Sequence, residues 1–89
     1  MKKSSIIEAR RAGVSSEIRR RVDLSFLIVD RIHDILRERG LRQKDLAAML
    51  GKNESEISKW MRGTHNFTID TVSMIEDALG SPILQIAHA

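Results

Sequence analysis

The chain has 89 residues, which is enough for one domain and too few for two. Hydrophobic residues make up 42% of it and aromatic residues only 3%, so we expect a small core of aliphatic side chains. The absence of cysteine excludes disulfides and thiolate metal sites, and no apolar run approaches the roughly 18–20 residues that span a bilayer. We therefore expect a cytoplasmic protein with no membrane partner.

Positive charge is confined to the first two thirds of the chain. All 15 lysines and arginines lie within residues 1–62 together with nine acidic residues, which gives +6 there. Residues 63–89 carry Asp70, Glu76 and Asp77 and no lysine or arginine, which gives −3. This asymmetry favours a polyanionic partner that is approached from one side, although a solvated charged surface would have the same composition.

The first 21 residues form a basic N-terminal extension. Within it, residues 5–11 are compatible with a short helix that stops at Gly13. The alternative is a basic arm that becomes ordered only when it binds a partner.

A long helix is predicted next, from a cap at Ser15 or Ser16 to Arg39, with Gly40 just beyond its end. Apolar residues recur three or four positions apart along one face of this helix: Ile18, Val22, Phe26, Val29, Ile32 and Leu36. A second apolar set widens that face: Leu24, Leu27, Ile28 and Ile35. One surface helix rarely needs so wide an apolar face, so we expect part of it to pack against a second subunit.

Three shorter helices follow. The segment QKDLAAML predicts a helix of about two turns closed by Gly51, and ESEISKWM predicts another closed by residues 62–63. A fourth helix is expected between a cap at Thr68 and a stop at Gly80. Pro82 prevents its continuation, and the segment ILQI is expected to form a short extended tail or a strand. The predicted fold class is all-α.

The first two of these short helices have the features of a helix-turn-helix motif. Ala47 is small where the second helix must cross the first, and Gly51 suits the left-handed backbone that opens the turn. Apolar residues are spaced to point inward from both helices: Leu46, Leu50, Ile57 and Trp60. We expect Trp60 to anchor the second helix in the core rather than to stack on a base.

The segment QKDLAAMLGKNESEISKWMRGTHNFTIDTVSMIEDALG resembles the helix-turn-helix of the phage-repressor, or Xre, family. The family pattern is matched without gaps at these residues: Gln43, Leu46-Ala47, Leu50-Gly51, Ile57-Ser58, Trp60 and Gly63. The resemblance implies a five-helix DNA-binding domain over residues 22–80, which binds double-stranded operator DNA as a homodimer and has no catalytic activity. Residues 81–89 would then be a C-terminal tail and a candidate dimer contact.

The resemblance and the outward spacing of polar side chains together assign candidate DNA contacts. The candidates for contact with base edges are Glu54, Ser55, Glu56, Ser58 and Lys59. The candidates for contact with the DNA backbone are Gln43, Lys44, Lys52, Arg62, Thr64, His65 and Asn66. The sequence departs from the family pattern at Arg42, where a threonine or serine cap is common, and at Lys52 and Met61. These departures concern the details of the contacts rather than the fold.

Two of the candidates, Glu54 and Glu56, are carboxylates in a helix that is expected to approach a polyanion. Asn53 and Glu56 have the spacing of a capping box, worth about 0.5–2 kcal/mol, and Glu54 complements the positive end of the helix. Alternatively, Glu54 accepts a hydrogen bond from a cytosine amino group, a pairing worth ~1–3 kcal/mol of discrimination. We expect Ser55 and Lys59 to contact bases and Glu54 to add selectivity.

Other classes of function have less support in the sequence. There is no nucleophile paired with a base and no glycine-rich phosphate loop, so we expect neither an enzyme nor a cofactor. His33, His65 and His88 are far apart and have no cysteine partner, so no metal site is expected. The preferred interpretation is a dimeric transcriptional repressor that acts on its own gene. The alternatives are a HigA-type antitoxin, which binds a ribonuclease toxin and represses its own operon, and a protein-interaction module that uses this fold without contacting DNA.

Overall fold

The computed structural model describes residues 15–63 and 65–87, which form an all-α domain. The described helices are α1 (Ser16–Arg39), α2 (Gln43–Leu50), α3 (Glu54–Trp60) and α4 (Ile69–Leu79). The predicted all-α class is therefore confirmed, while the predicted count of five helices is not. The short helix predicted over residues 5–11 lies outside the described residues. No strand occurs within the described ranges, and the segment after Gly80 is irregular.

Helix α1 has the ends that its sequence predicts. The Ser15 hydroxyl caps the helix by accepting a hydrogen bond from the Ile18 amide at 3.2 Å. At the other end the backbone turns at Gly40, and the Leu41 amide donates back to the Leu36 carbonyl at 2.8 Å. Both ends are therefore closed by local hydrogen bonds, as the sequence signals indicate.

The core is built on only the second half of α1. Its members come from all four helices: Ile28, Ile32, Ile35, Leu36, Leu46, Ala47, Ile57, Trp60, Val72, Ile75 and Leu79. Ile28 and Ile35 were expected to widen the apolar face toward a second subunit, but both are buried in this core. Conversely, Ile18 and Phe26 from the expected core face are 44% and 46% exposed. Helical periodicity predicts which residues share a face, but the partner elements decide how far along the helix that face is covered.

The start of α2 is capped by a residue that the sequence analysis did not single out. Arg42 stands where a hydroxyl cap is common, and a guanidinium has no acceptor for a helix amide. Instead the Asp45 carboxylate accepts a hydrogen bond from the Arg42 amide at 2.8 Å. This is the second half of a capping box, and it fixes the backbone that leads into the helix-turn-helix.

The start of α3 corrects the predicted capping box. The Asn53 side chain makes no hydrogen bond to the helix, and the Glu56 carboxylate lies 3.6 Å from Lys52 Nζ instead. The Asn53 carbonyl still accepts from the Glu56 and Ile57 amides at 3.1 and 3.3 Å. The prediction was wrong because an ammonium group four positions away competes for the same carboxylate.

Two glycines close the turns on either side of α3. Gly51 and Gly63 have φ values of +67° and +87°, a backbone region that strains any residue with a Cβ. A Cβ at Gly51 would meet nothing within 4 Å, whereas a Cβ at Gly63 would overlap the ring of Phe26. The half-exposed Phe26 therefore packs directly on the backbone of the α3–α4 loop, and this contact depends on the glycine.

Gly63→Ala is expected to destabilise the fold more than the matched variant Gly51→Ala. Each substitution adds backbone strain of about 1–2 kcal/mol, and overpacking against Phe26 adds a further ~1–3 kcal/mol at residue 63 only. Urea denaturation of the two variants measures the difference. In a Phe26→Ala background the excess cost of Gly63→Ala should disappear. Equal costs in the wild-type background would contradict the predicted contact.

The segment after α4 is fastened to two helices. Arg31 Nε of α1 donates to the Pro82 carbonyl at 2.9 Å, and Arg39 donates to the Ser81 hydroxyl at 2.7 Å. The Glu76 carboxylate of α4 accepts from the amides of Ile83 and Leu84 at 2.7 and 3.0 Å. Ile83 packs against the core. The tail is therefore held to both α1 and α4.

Acid is expected to release this tail from α4. The amides of Leu84 and Ile83 that donate to Glu76 hold the pKa of its carboxyl below the ordinary value of 4.5. A carboxyl whose pKa is lower in the folded state than in the unfolded state stabilises the fold at pH above its unfolded-state pKa. This stabilisation is lost as the pH falls through the folded-state pKa. The protection factors of the Ile83 and Leu84 amides, which allow for the slower intrinsic exchange in acid, should therefore fall as the pH is lowered. Glu76→Gln should abolish this additional pH dependence, and an unchanged profile in that variant would contradict the account.

No helix in the described part of the chain is long and apolar enough to cross a membrane.

Candidate functional site

Helices α2 and α3 pack against each other as a helix-turn-helix unit. Leu46 and Ile57 are fully buried between the helices and the core, and Ala47 is buried beside them. The turn is closed by the Lys52 amide, which donates to the Ala47 carbonyl at 2.9 Å. Trp60, also buried, fixes the C-terminal end of α3. This seating holds α3 in one orientation and determines which of its side chains face outward.

The outward side of α3 carries three of the five candidates for base contact. Glu54, Ser55 and Lys59 are exposed, and Ser55 and Lys59 lie four residues apart on one helical face. Glu56 and Ser58 are half-buried. The structure therefore brings together a short hydroxyl, an ammonium and a carboxylate on one exposed surface, which can donate and accept hydrogen bonds at base edges.

Lys52 and Glu56 form a pair beside this surface. Lys52 Nζ lies 3.6 Å from Glu56 and 5.9 Å from the centre of the Trp60 ring. Both side chains are partly covered, with 29% and 45% of their surface exposed. The ion pair and the contact with the indole orient Lys52 across the end of the turn. Neither side chain is as available to a ligand as the sequence analysis assumed.

The N-terminus of α2 lies next to the N-terminus of α3. An open groove is lined by Arg42 and Gln43 at the start of α2, by Glu54 at the start of α3, and by His33 and Arg37 of α1. Lys44 is exposed at the start of α2. Sequence analysis selected Gln43, Lys44 and Glu54 but missed the other three. His33 and Arg37 lie within the last two turns of α1 and Arg42 lies directly before α2. These positions become informative only when the angle between α1 and α2 is known.

The loop after α3 holds the remaining candidates. Arg62 and Asn66 are exposed, whereas Thr64 lies outside the described residues. His65 is half-buried, with its ring stacked on Trp60 at 5.5 Å between ring centres and edge-on to Phe67 at 4.8 Å. The loop is therefore anchored to the core through an aromatic cluster of Trp60, His65 and Phe67, and it presents Arg62 and Asn66 on either side of that anchor.

Metal binding has no support in the geometry. Within residues 15–63 and 65–87, no group of three or more histidine, aspartate or glutamate side chains is placed to hold a metal ion. The exposed side chains of α3 carry both signs of charge and can donate and accept hydrogen bonds.

Comparison with known proteins identifies one family. The model of a family described as Helix-turn-helix matches residues 32–86, which is more than half of the chain. The match includes the last third of α1, the whole of α2, α3 and α4, and most of the tail. No curated protein and no solved structure matches the chain.

Proposed function

The chain belongs to the Xre-like helix-turn-helix family of DNA-binding regulators, and from this premise we propose that it is a dimeric repressor that binds operator DNA upstream of its own gene. The observation that supports the proposal most strongly is the fixed orientation of α3 on the core. Its buried residues Ile57 and Trp60 fix the helix on the core, while Ser55 and Lys59 face solvent on one side. A helix held in this way can enter the major groove without first becoming ordered.

The proposed base contacts follow from the chemistry of the exposed side chains. Lys59 donates to guanine O6 and N7, and Ser55 donates or accepts at either base of a pair. Glu54 accepts from a cytosine amino group, and its charge disfavours sequences that offer no donor there. Ser58 lies half-buried beside this surface and has a smaller share in the contact.

The proposed backbone contacts surround this surface on two sides. Gln43 and Lys44 contact phosphates from the start of α2, and Arg62 and Asn66 contact them from the loop after α3. His65 and Thr64 complete the loop candidates, and Lys52 joins them where it can leave Glu56. These contacts set the position of α3 in the groove, and they make the affinity dependent on salt.

The proposed dimer sets the form of the operator. Two α3 helices that enter successive major grooves on one side of the duplex require half-sites about one helical turn, ~34 Å, apart. The operator is then an inverted repeat. By repressing its own gene from this operator, the protein would regulate its own concentration.

Titration against DNA from upstream of its own gene tests this function, with a scrambled duplex beside it at two salt concentrations. We expect tight binding with a clear preference for the upstream duplex. Affinity should fall with salt with a slope near −0.9 for each neutralised phosphate. Equal, weak binding to both duplexes, or binding that is insensitive to salt, would overturn the proposal and favour a protein-interaction module.

Glu54 and Glu56 are expected to differ in effect although they are two residues apart. Glu54→Gln should reduce the preference for the specific duplex about tenfold, because a base contact is worth ~1–3 kcal/mol. Glu56→Gln should leave that preference unchanged and lower stability by only ~0.3–0.5 kcal/mol, as for other exposed ion pairs at this spacing. The two variants need the same titration and the same urea denaturation. A larger change in preference for Glu56→Gln than for Glu54→Gln would reverse the assignment.

The second candidate function is an antitoxin that binds a ribonuclease toxin and represses its own operon. Exposed apolar residues on the first half of α1 favour it, since Ile18 and Phe26 are 44% and 46% exposed. Such residues are typical of surfaces that bind another protein. Co-expression with the product of the adjacent gene tests this candidate. A stable complex that is lost in Ile18→Glu supports it, and no complex would exclude it.

A further inference from the structure

A second exposed surface on α1 has the pattern of a helix–helix contact. Six of its residues are spaced alternately four and three apart, which places them on one stripe of the helix: Arg20, Leu24, Leu27, Arg31, Asp34 and Glu38. Leu24 and Leu27 lie in the middle of this stripe and are 38% and 58% exposed. The stripe runs beside the core face of α1, and the tail contacts it at Arg31 while both leucines keep more than a third of their surface exposed.

We propose that this stripe is the interface with a second copy of the chain, in which the two α1 helices lie antiparallel about a two-fold axis at Leu27. The proposal gives an interface to the dimer of the proposed function and rests on it in that respect. A two-fold contact requires a surface that is complementary to itself, and the charges along the stripe meet this requirement.

The charge pattern selects the antiparallel arrangement and its register. With the axis at Leu27, Arg20 is level with Asp34 of the second copy. Asp23, which lies beside the stripe, is level with Arg31 of the second copy. These are two opposite-charge pairs, and the symmetry doubles them to four.

Other arrangements bring like charges together. If the axis lay between Leu24 and Leu27, Arg20 would be level with Arg31 of the second copy. A parallel, in-register pair would place every charge against its own copy. Like charges across an interface are unfavourable, so the axis at Leu27 is preferred.

The charged residues that this register pairs are accessible to a second copy. Arg20, Asp23 and Asp34 are exposed, and the neighbouring pair of Asp34 with Arg37 is a long surface contact of 3.8 Å that competes weakly. Arg31 uses Nε to hold the Pro82 carbonyl, which leaves its two terminal nitrogens to face Asp23 of the second copy.

Sedimentation analysis of the full chain without DNA tests the interface. The wild type is expected to be a dimer at a protein concentration of about 100 µM, since a small interface gives only a weak affinity. Leu27→Glu places two carboxylates at the axis and should raise the dissociation constant about tenfold or more. The matched control is Ile69→Glu, which changes an 81% exposed residue outside the stripe and the tail and should leave the dimer intact. A monomeric wild type, or a Leu27→Glu variant that still dimerises normally, overturns the inference.

A charge exchange tests the register. Arg20→Asp should weaken the dimer, and adding Asp34→Arg to the same chain should restore it. Within one chain the two residues are 14 positions, about 21 Å, apart along the helix, so they cannot compensate for each other internally. Failure of the double variant to recover would overturn the register. DNA titration of Leu27→Glu separates the proposed dimer interface from the proposed DNA-binding function. If the monomeric variant still binds a single half-site, the DNA-binding function is supported whatever the outcome for the interface.

Discussion

Lys59→Glu is expected to weaken binding to the specific duplex by about tenfold to a hundredfold. The substitution removes a base contact worth ~1–3 kcal/mol and places a carboxylate where the proposed surface meets a polyanion. Lys59 is exposed on α3, so the fold should be unaffected, and circular dichroism can confirm this. Fluorescence anisotropy with specific and scrambled duplexes measures the effect.

Lys44→Glu is the matched control for Lys59→Glu, because Lys44 is proposed to contact only the DNA backbone. Lys44 is also exposed, at the start of α2, and its reversal should weaken binding to both duplexes about equally and reduce the salt slope by ~1 or more. The two variants carry the same change of charge, so the difference between them isolates base contact. If Lys59→Glu also weakened both duplexes equally, Lys59 would be a backbone contact.

Trp60→Ala is expected to lower the free energy of unfolding by about 3–5 kcal/mol. Trp60 is 5% exposed and contacts the rings of His65 and Phe67 as well as the core. Its removal leaves a cavity at the end of α3 and releases the loop that carries Arg62 and Asn66. Because total stability of a small domain is ~5–15 kcal/mol, this loss is a large fraction of it.

Urea denaturation followed by far-ultraviolet circular dichroism measures this loss, since the variant has no other tryptophan to report by fluorescence. Met49→Ala is a suitable control, because Met49 is 47% exposed on α2 and should contribute much less. A cost below ~1 kcal/mol for Trp60→Ala would place the indole outside the core and undermine the seating of α3.

The ends of the helices could be predicted because they depend on local chemistry. The hydroxyl of Ser15 and that of Thr68 cap α1 and α4 as expected, and glycines at 40, 51 and 80 end three helices with a left-handed backbone. The inward residues of α2 and α3 were also predicted correctly, since a two-turn helix has one covered face. These features need no knowledge of distant parts of the chain.

The features that were not predicted depend on contacts between distant residues. Burial of Ile28 and Ile35 follows from how far α2 and α4 extend along α1, and the sequence gives no measure of this distance. The packing of Phe26 on Gly63 joins residues 37 positions apart in the chain. The loss of the Asn53 cap was local, but it required weighing an ion pair from Lys52 against a backbone hydrogen bond.

The candidate site was predictable in its location and less so in the state of its side chains. Exposure of Glu54, Ser55 and Lys59 agrees with their outward spacing. His65, a candidate for contact with the DNA backbone, lies half-buried against Trp60 and Phe67. Its burial could be foreseen only from the three-dimensional course of the loop, because a histidine beside an asparagine is typical of solvated segments.

Entry of α3 into the major groove can be tested directly by NMR titration of the ¹⁵N-labelled protein with upstream DNA. The largest changes in amide shift are expected on residues 54–59, with smaller changes at 43–44 and 62–66. The amides of residues 20–31 in α1 should remain unchanged, because that part of the helix is assigned to the second copy. Changes concentrated on the first half of α1 with none on α3 would contradict the account.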